Sequence, residues 1–195
     1  LAVDATSSLA GLNLKYIKAD VWFASVQKCF GLPAGLGVLI LSPRAVAQAK
    51  AVNDKAHYNA LPAMLAQMLN FQTNYTPNVL GIYLLSRVLT DREPIKTVHQ
   101  HLAERAEKLY SFFEQATPLT PLISNPETRS TTVIGLKGDA ALIEEIKQKA
   151  REAGLQLGSG YGPLKSTTVR IANFPAVSDA AMEALVQFFA KEFPG

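Results

Sequence analysis

The chain has 195 residues, 19 of them basic and 16 acidic, for a net charge of +3, and 48% are apolar, which is ample for a packed core. The basic residues are spread along the chain with no stripe of interleaved aromatics, which argues against a nucleic-acid partner, and no apolar run is long enough to span a membrane. A lone cysteine, Cys29, rules out an internal disulfide and suits a reducing, cytoplasmic setting, and His57, His99 and His101 lack the spacing of metal ligands.

The N-terminal part reads as α/β. Leu1-Ala2-Val3-Asp4 is a short apolar strand, Val21-Trp22-Phe23-Ala24 a second and Val38-Leu39-Ile40-Leu41 a third, an order that suits a mostly parallel sheet. Ser42-Pro43-Arg44 opens a helix over 42–50, with Pro43 near its first position. Residues 52–77 are polar and turn-rich apart from a short helix over 63–68, and long irregular stretches in compact proteins tend to carry function. An apolar helix follows over 79–89, and Thr90-Asp91-Arg92-Glu93-Pro94 marks a boundary. A long amphipathic helix then runs to about Gln115. Its apolar residues Ile95, Val98, Leu102, Ala106, Leu109 and Phe113 recur every three or four positions. This helix links two predicted domains, 1–94 and 95–195. The second continues as strand (131–136), helix (139–153), short strand (155–157), glycine-rich loop, strand (167–172) and helix (179–193), with Ser178 as N-cap of the last. That order predicts a small α+β domain whose antiparallel sheet is covered by helices.

The stretch from Ser25 to Gly37 is the most informative. Lys28 follows an apolar strand and precedes a Gly/Pro-rich turn and another apolar strand. Burial between strands disfavours an ammonium ion, and a lysine so tuned can act as an amine nucleophile that binds a carbonyl covalently. Pyridoxal phosphate uses such a lysine, together with an acidic partner for its ring nitrogen. Asp4, which ends a strand 24 residues earlier, is the candidate partner. The plainer alternatives are a solvated loop lysine and an aspartate that caps a helix or closes a turn. Cys29 has no His or second Cys nearby in sequence and reads as a packing residue.

Taken together, Val3-Asp4-Ala5-Thr6-Ser7-Ser8, Asp20-Val21-Trp22-Phe23, Gln27-Lys28 and Gly35-Leu36-Gly37 resemble the class V aminotransferases. These are fold-type I enzymes that depend on pyridoxal 5'-phosphate, and they include phosphoserine aminotransferase and alanine–glyoxylate (serine–pyruvate) aminotransferase. The resemblance covers the second half of such an enzyme. The chain opens at Leu1, inside a strand and without Met, so the expectation is that the first half is missing. The fold implied is the end of the large, mostly parallel cofactor domain followed by the small α+β domain. The activity implied is transfer of an amino group between a small amino acid and a 2-oxo acid, phosphoserine (serine biosynthesis) or alanine/serine with glyoxylate or pyruvate, in a homodimer with shared active sites.

Residue by residue, the resemblance gives Lys28 the covalent hold on the cofactor and the proton transfer, and gives Asp4 the ring nitrogen. Gln27, and less securely Ser25, fall to the cofactor's polar rim, where an amide can hydrogen-bond without titrating. Thr73-Asn74-Tyr75-Thr76-Pro77-Asn78 is similar to the segment that reaches into the neighbouring subunit's site, which puts Thr76 and Asn74 at the phosphate, just before a helix N-terminus. Arg170, between Val169 and Ile171 after Gly158-Ser159-Gly160-Tyr161-Gly162-Pro163, falls to the substrate α-carboxylate, which a guanidinium grips bidentately. On its own the sequence predicts Arg170 to be half-buried with an anionic partner, the alternatives to a ligand being a structural carboxylate or a place on an exposed sheet face. The chain departs from the commonest bacterial phosphoserine enzymes in placing Tyr161, Pro163 and Lys165 where they have His and Arg. The alternative within the same chemistry is a lyase of the cysteine desulfurase type, against which Gln27 speaks. The alternative outside it is a non-catalytic fragment.

Overall fold

A computed structural model describes all 195 residues, which fall into two compact units, Leu1–Glu93 and Pro94–Gly195. In the first, β1 (Ala2–Asp4) lies parallel to β2 (Val21–Ser25), and β2 pairs antiparallel with β3 (Gly37–Leu41). Alternation along β2 buries Trp22 and Ala24 and leaves Phe23 exposed. Ala5, Leu9, Trp22, Ala24, Val26 and Phe30 form the core of this unit. The third strand is more open than its apolar sequence predicts, with Leu39 42% and Ile40 36% exposed.

Helix α1 (Pro43–Val52) starts where Ser42 Oγ accepts from Ala45 N, and it ends at Asn53 in the left-handed conformation. Helices α2 (Leu61–Met68) and α3 (Val79–Asp91) follow, and neither buries a residue fully. No helix is long and apolar enough to cross a membrane.

The second unit opens with α4 (Ile95–Ala116), whose Leu102, Ala106, Leu109 and Phe113 are buried as their spacing predicts. The sheet has the order β4 (Thr120–Pro121), β5 (Val133–Lys137), β7 (Thr168–Ala172), β6 (Gly158–Ser159), all neighbours antiparallel. Helices α5 (Ala140–Glu152) and α6 (Asp179–Glu192) pack with α4 on one face. Ile134 and Leu136 of β5, Val169 and Ile171 of β7, and Ile143, Ile146, Leu185 and Phe189 of the helices share one core. Phe113 meets Phe189 edge to face at 4.9 Å. The short strand predicted over 155–157 lies instead at Gly158–Ser159.

Candidate active site

Asp4 and Lys28 lie at the carboxyl ends of neighbouring strands, Asp4 as the last residue of β1 and Lys28 just past the end of β2. Asp4 is the last residue of β1 and pairs with Phe23, while Ser25 ends β2 and Lys28 follows three residues later. Both residues therefore sit at the carboxyl edge of a parallel pair, the edge at which ligands dock in α/β sheets. Asp4 is exposed. Its Oδ1 accepts from Thr6 N at 2.9 Å, and hydrogen bonds from the Thr6 side chain and backbone hold its carboxyl below the usual carboxylate range.

Lys28 is partly exposed at a bend, not enclosed between strands as its apolar flanks predict, because β2 stops at Ser25 and the chain turns. The turn is well tied: Leu32 N donates to the Val26 carbonyl at 3.1 Å, Gly31 N to the Lys28 carbonyl at 3.0 Å, and Val26 N to the Leu36 carbonyl at 3.3 Å. Ser25 is partly buried, on the same sheet face as Asp4, and Gln27 is exposed. The neighbouring Cys29 is fully buried, its Sγ donates to the Ser7 carbonyl at 3.2 Å, and burial pushes its thiol up to about 12. A thiol so held is not a nucleophile at neutral pH.

The turn has an anchor that reading along the chain does not reveal. Arg92, from the end of α3, donates through Nη1 to the Ala10 carbonyl at 2.6 Å and through Nη2 to the Cys29 carbonyl at 2.5 Å. One guanidinium thus joins the loop after Asp4 to the loop that holds Lys28. Its acceptors are 82 and 63 residues away, so no local pattern announces the role.

In the 73–78 segment, Thr76 is exposed and Thr73 Oγ1 donates to the Tyr75 carbonyl at 2.5 Å. The Tyr75 ring stacks on Tyr58 with centroids 4.4 Å apart. The N-terminus of α3 is capped by its own Asn78, whose Oδ1 accepts from Gly81 N at 2.9 Å. A Cβ on Gly81 would lie 2.9 Å from Leu36 Cδ1, so α3 begins in close contact with the far end of the lysine turn. Asn74 Oδ1 is buried without a hydrogen-bond partner, an orphan atom of the kind a ligand satisfies.

Arg170 is half-buried on β7, on the sheet face opposite the helices, since Val169 and Ile171 beside it point into the core. In register it is flanked by two glycines, Gly135 of β5 and Gly158 of β6. Its Nε donates to the Ser159 carbonyl at 2.6 Å and its guanidinium lies 4.2 Å from the Tyr161 ring centroid. The structural carboxylate that the sequence left open is not its partner; a backbone carbonyl and an aromatic face hold it instead.

The family model Aminotransferase class-V matches residues 1–172. The phosphoserine aminotransferase of Rhodococcus opacus (strain B4) is 27% identical over 96% of the chain and 52% of that protein. A putative phosphoserine aminotransferase of Mycolicibacterium vanbaalenii is 29% identical over 95% of the chain and 52% of that protein. Among solved structures, a phosphoserine aminotransferase from Cytophaga hutchinsonii matches with a TM-score of 0.90 and 35% identity, over 98% of the chain and 54% of that structure. An alanine–glyoxylate aminotransferase from Nostoc sp. matches with a TM-score of 0.83 at 19% identity, a likeness of fold, over 98% of the chain and 53% of that structure. The chain spans about half the length of the curated relatives it matches.

Proposed function

Because the chain belongs to the class V aminotransferase family, we propose that it supplies the lysine-bearing sheet edge and the small domain of a pyridoxal 5'-phosphate-dependent aminotransferase. In this reading residues 1–94 end the large cofactor domain and 95–195 form the linking helix and small domain. The reaction moves an amino group between a small amino acid and a 2-oxo acid. Phosphoserine is the favoured donor, supported by the names of the relatives that align over nearly the whole chain, and it would place the enzyme in serine biosynthesis in the cytoplasm, as a homodimer.

The observation that carries the reading is the placement of both Asp4 and Lys28 at the carboxyl ends of parallel β1 and β2. The residues fit the group. Asp4 stays ionised through its Thr6 hydrogen bonds, and as an exposed carboxylate it keeps acceptor capacity for a protonated ring nitrogen. Asn74, partly buried, has an Oδ1 position that is buried with an unmet hydrogen bond, and its oxygen and nitrogen positions are interchangeable by a flip. When bound, pyridoxal 5'-phosphate supplies a carbonyl carbon and an electron-withdrawing ring. Lys28 Nζ would be the group that holds the cofactor covalently and that moves a proton at the substrate Cα. Ser25 and Gln27 orient the cofactor's polar rim, Thr76 and Asn74 bind its phosphate, and Arg170 binds the substrate α-carboxylate.

The test is covalent. Borohydride reduction of the holoenzyme that contains this chain, followed by peptide mapping, should place the pyridoxyl mass on Lys28, and Lys28→Ala should lose both the label and turnover. A label on another lysine, or none, overturns the assignment.

A further inference from the structure

We infer that Tyr161 is a positioning residue for Arg170, one that fixes which edge of the guanidinium a ligand carboxylate meets and so sets affinity for carboxylate-bearing substrates. The inference rests on the reading of Arg170 as the substrate-carboxylate group.

Arg170 sits on an open sheet face with glycine on both sides, at Gly135 and Gly158, so neighbouring side chains do little to hold it in register. Two contacts do that work. The Ser159 carbonyl takes Nε at 2.6 Å, which commits the side-on edge of the guanidinium and leaves the pair of terminal nitrogens as the bidentate edge. The Tyr161 ring lies 4.2 Å from Cζ and covers one flat face, which removes rotation out of that plane. Neither contact neutralises the charge, and no acidic side chain pairs with Arg170, so its attraction for an anion is intact. Planar recognition needs this kind of preorganisation, because the two hydrogen bonds form together only if the fork is held flat.

The turn that carries Tyr161 is built to hold it there. A Cβ on Gly160 would stand 2.4 Å from the Leu164 carbonyl oxygen and 3.0 Å from Thr168 Cβ, so only glycine allows the turn to close back on β7. A Cβ on Gly158 would touch Arg170 itself, 3.4 Å from its Cβ. Tyr161 is 71% exposed, so its ring does not serve the core, and it lies against Arg170.

In the holoenzyme, Tyr161→Ala should raise KM for the amino acid roughly fivefold with little change in kcat, the size expected of a lost cation–π contact at a partly exposed site. Tyr161→Phe keeps the ring and should restore KM. The matching amine that lacks the carboxylate should react equally with all three proteins. As a direct readout, the Arg170 Nε–H signal in nitrogen-15 NMR should shift on titration with propionate in wild type and Tyr161→Phe, and respond at higher concentration in Tyr161→Ala and Tyr161→Leu. Arg170→Gln separates the two failures. If it leaves the amino-acid KM unchanged, the carboxylate role of Arg170 is wrong and the inference falls with it. If it raises KM while Tyr161→Ala does not, or if Tyr161→Ala slows the amine equally, Tyr161 has no positioning role.

Discussion

An aspartate at the end of a strand can close a turn or serve a ligand, and the geometry of Asp4 lets it do both. Its Oδ1 accepts from Thr6 N, and as an exposed carboxylate it keeps capacity to accept another donor. The Thr6 hydrogen bonds depress its folded pKa, so it is fully ionised at neutral pH. Asp4→Asn preserves the shape and can still close the turn but removes the charge. In the holoenzyme we expect kcat to fall about a hundredfold or more, about 3 kcal/mol of transition-state stabilisation, with the fold unchanged by circular dichroism. Near-normal turnover would mean that another group serves the ring nitrogen. At this scale the sequence marks candidates by residue type and flanking strands, as at Asp4, Lys28 and Arg170, and the structure puts Asp4 and Lys28 at one sheet edge. Their surroundings were harder to read. The flanks of Lys28 suggested burial, whereas the early end of β2 leaves it at a partly open bend.

At the scale of elements, Arg92 ties the end of α3 to the loops after β1 and β2. Removing it leaves the carbonyls of Ala10 and Cys29 without a charged donor, and Arg92→Leu should cost about 3 kcal/mol of stability. Amide hydrogen exchange at Gly31 and Leu32, whose bonds close the lysine turn, should quicken. Arg92→Lys keeps the charge but cannot span both carbonyls, so it should recover only part of the loss.

A second tie organises the other unit. Arg105 of α4 is buried and donates to Asn173 Oδ1, to the carbonyls of Phe174 and Val177, and to Asp179 Oδ1, while Asn173 Nδ2 donates to the carbonyls of Leu102 and Thr131. The segment between β7 and α6 is thereby fixed to α4. Arg105→Leu strands several of these acceptors and should destabilise the protein by about 3 kcal/mol in denaturant unfolding. The hydrogen bond from Arg105 is the main reason that the Asp179 carboxyl lies below its ordinary 3.8. A depressed folded pKa contributes stability that is complete above the unfolded value and fades as pH falls through the folded one. Unfolding measured between pH 5 and 2 should therefore lose an acid-sensitive component in Arg105→Leu. The helices of both units were legible because apolar spacing and caps such as Ser42 and Ser178 are local signals. Strands β4 and β6 have two residues each, too short for a period, and Gly158 sits in a glycine-rich run with no alternation to read. In sequence Arg92 looks like an ordinary charge at a segment boundary and Arg105 like one on a helix surface, since their partners are brought to them only by the tertiary fold.

On the scale of the whole molecule, each unit has its own core, but the first leaves much apolar surface uncovered. Phe71 is fully exposed, and Tyr75, Val79, Leu80, Ile82 and Tyr83 are each more than 40% exposed, across the loop that carries Thr76 and along α3. A run of exposed aromatic and aliphatic groups of this kind calls for a partner surface. In the homodimer proposed above that partner is a second copy, and Thr76 serves the other subunit's phosphate. Complementation tests the arrangement. A Lys28→Ala subunit and a Thr76→Ala subunit, each impaired alone, are mixed under conditions that permit exchange. If the site draws Lys28 from one subunit and Thr76 from the other, each heterodimer has one site lacking both residues and one site keeping both. With random pairing, half the dimers are heterodimers with one intact site of two, so activity should return to about a quarter of wild type. If mass spectrometry shows that the subunits have exchanged and no activity returns, Lys28 and Thr76 act within a single chain, and the exposed face of α3 must be explained in some other way.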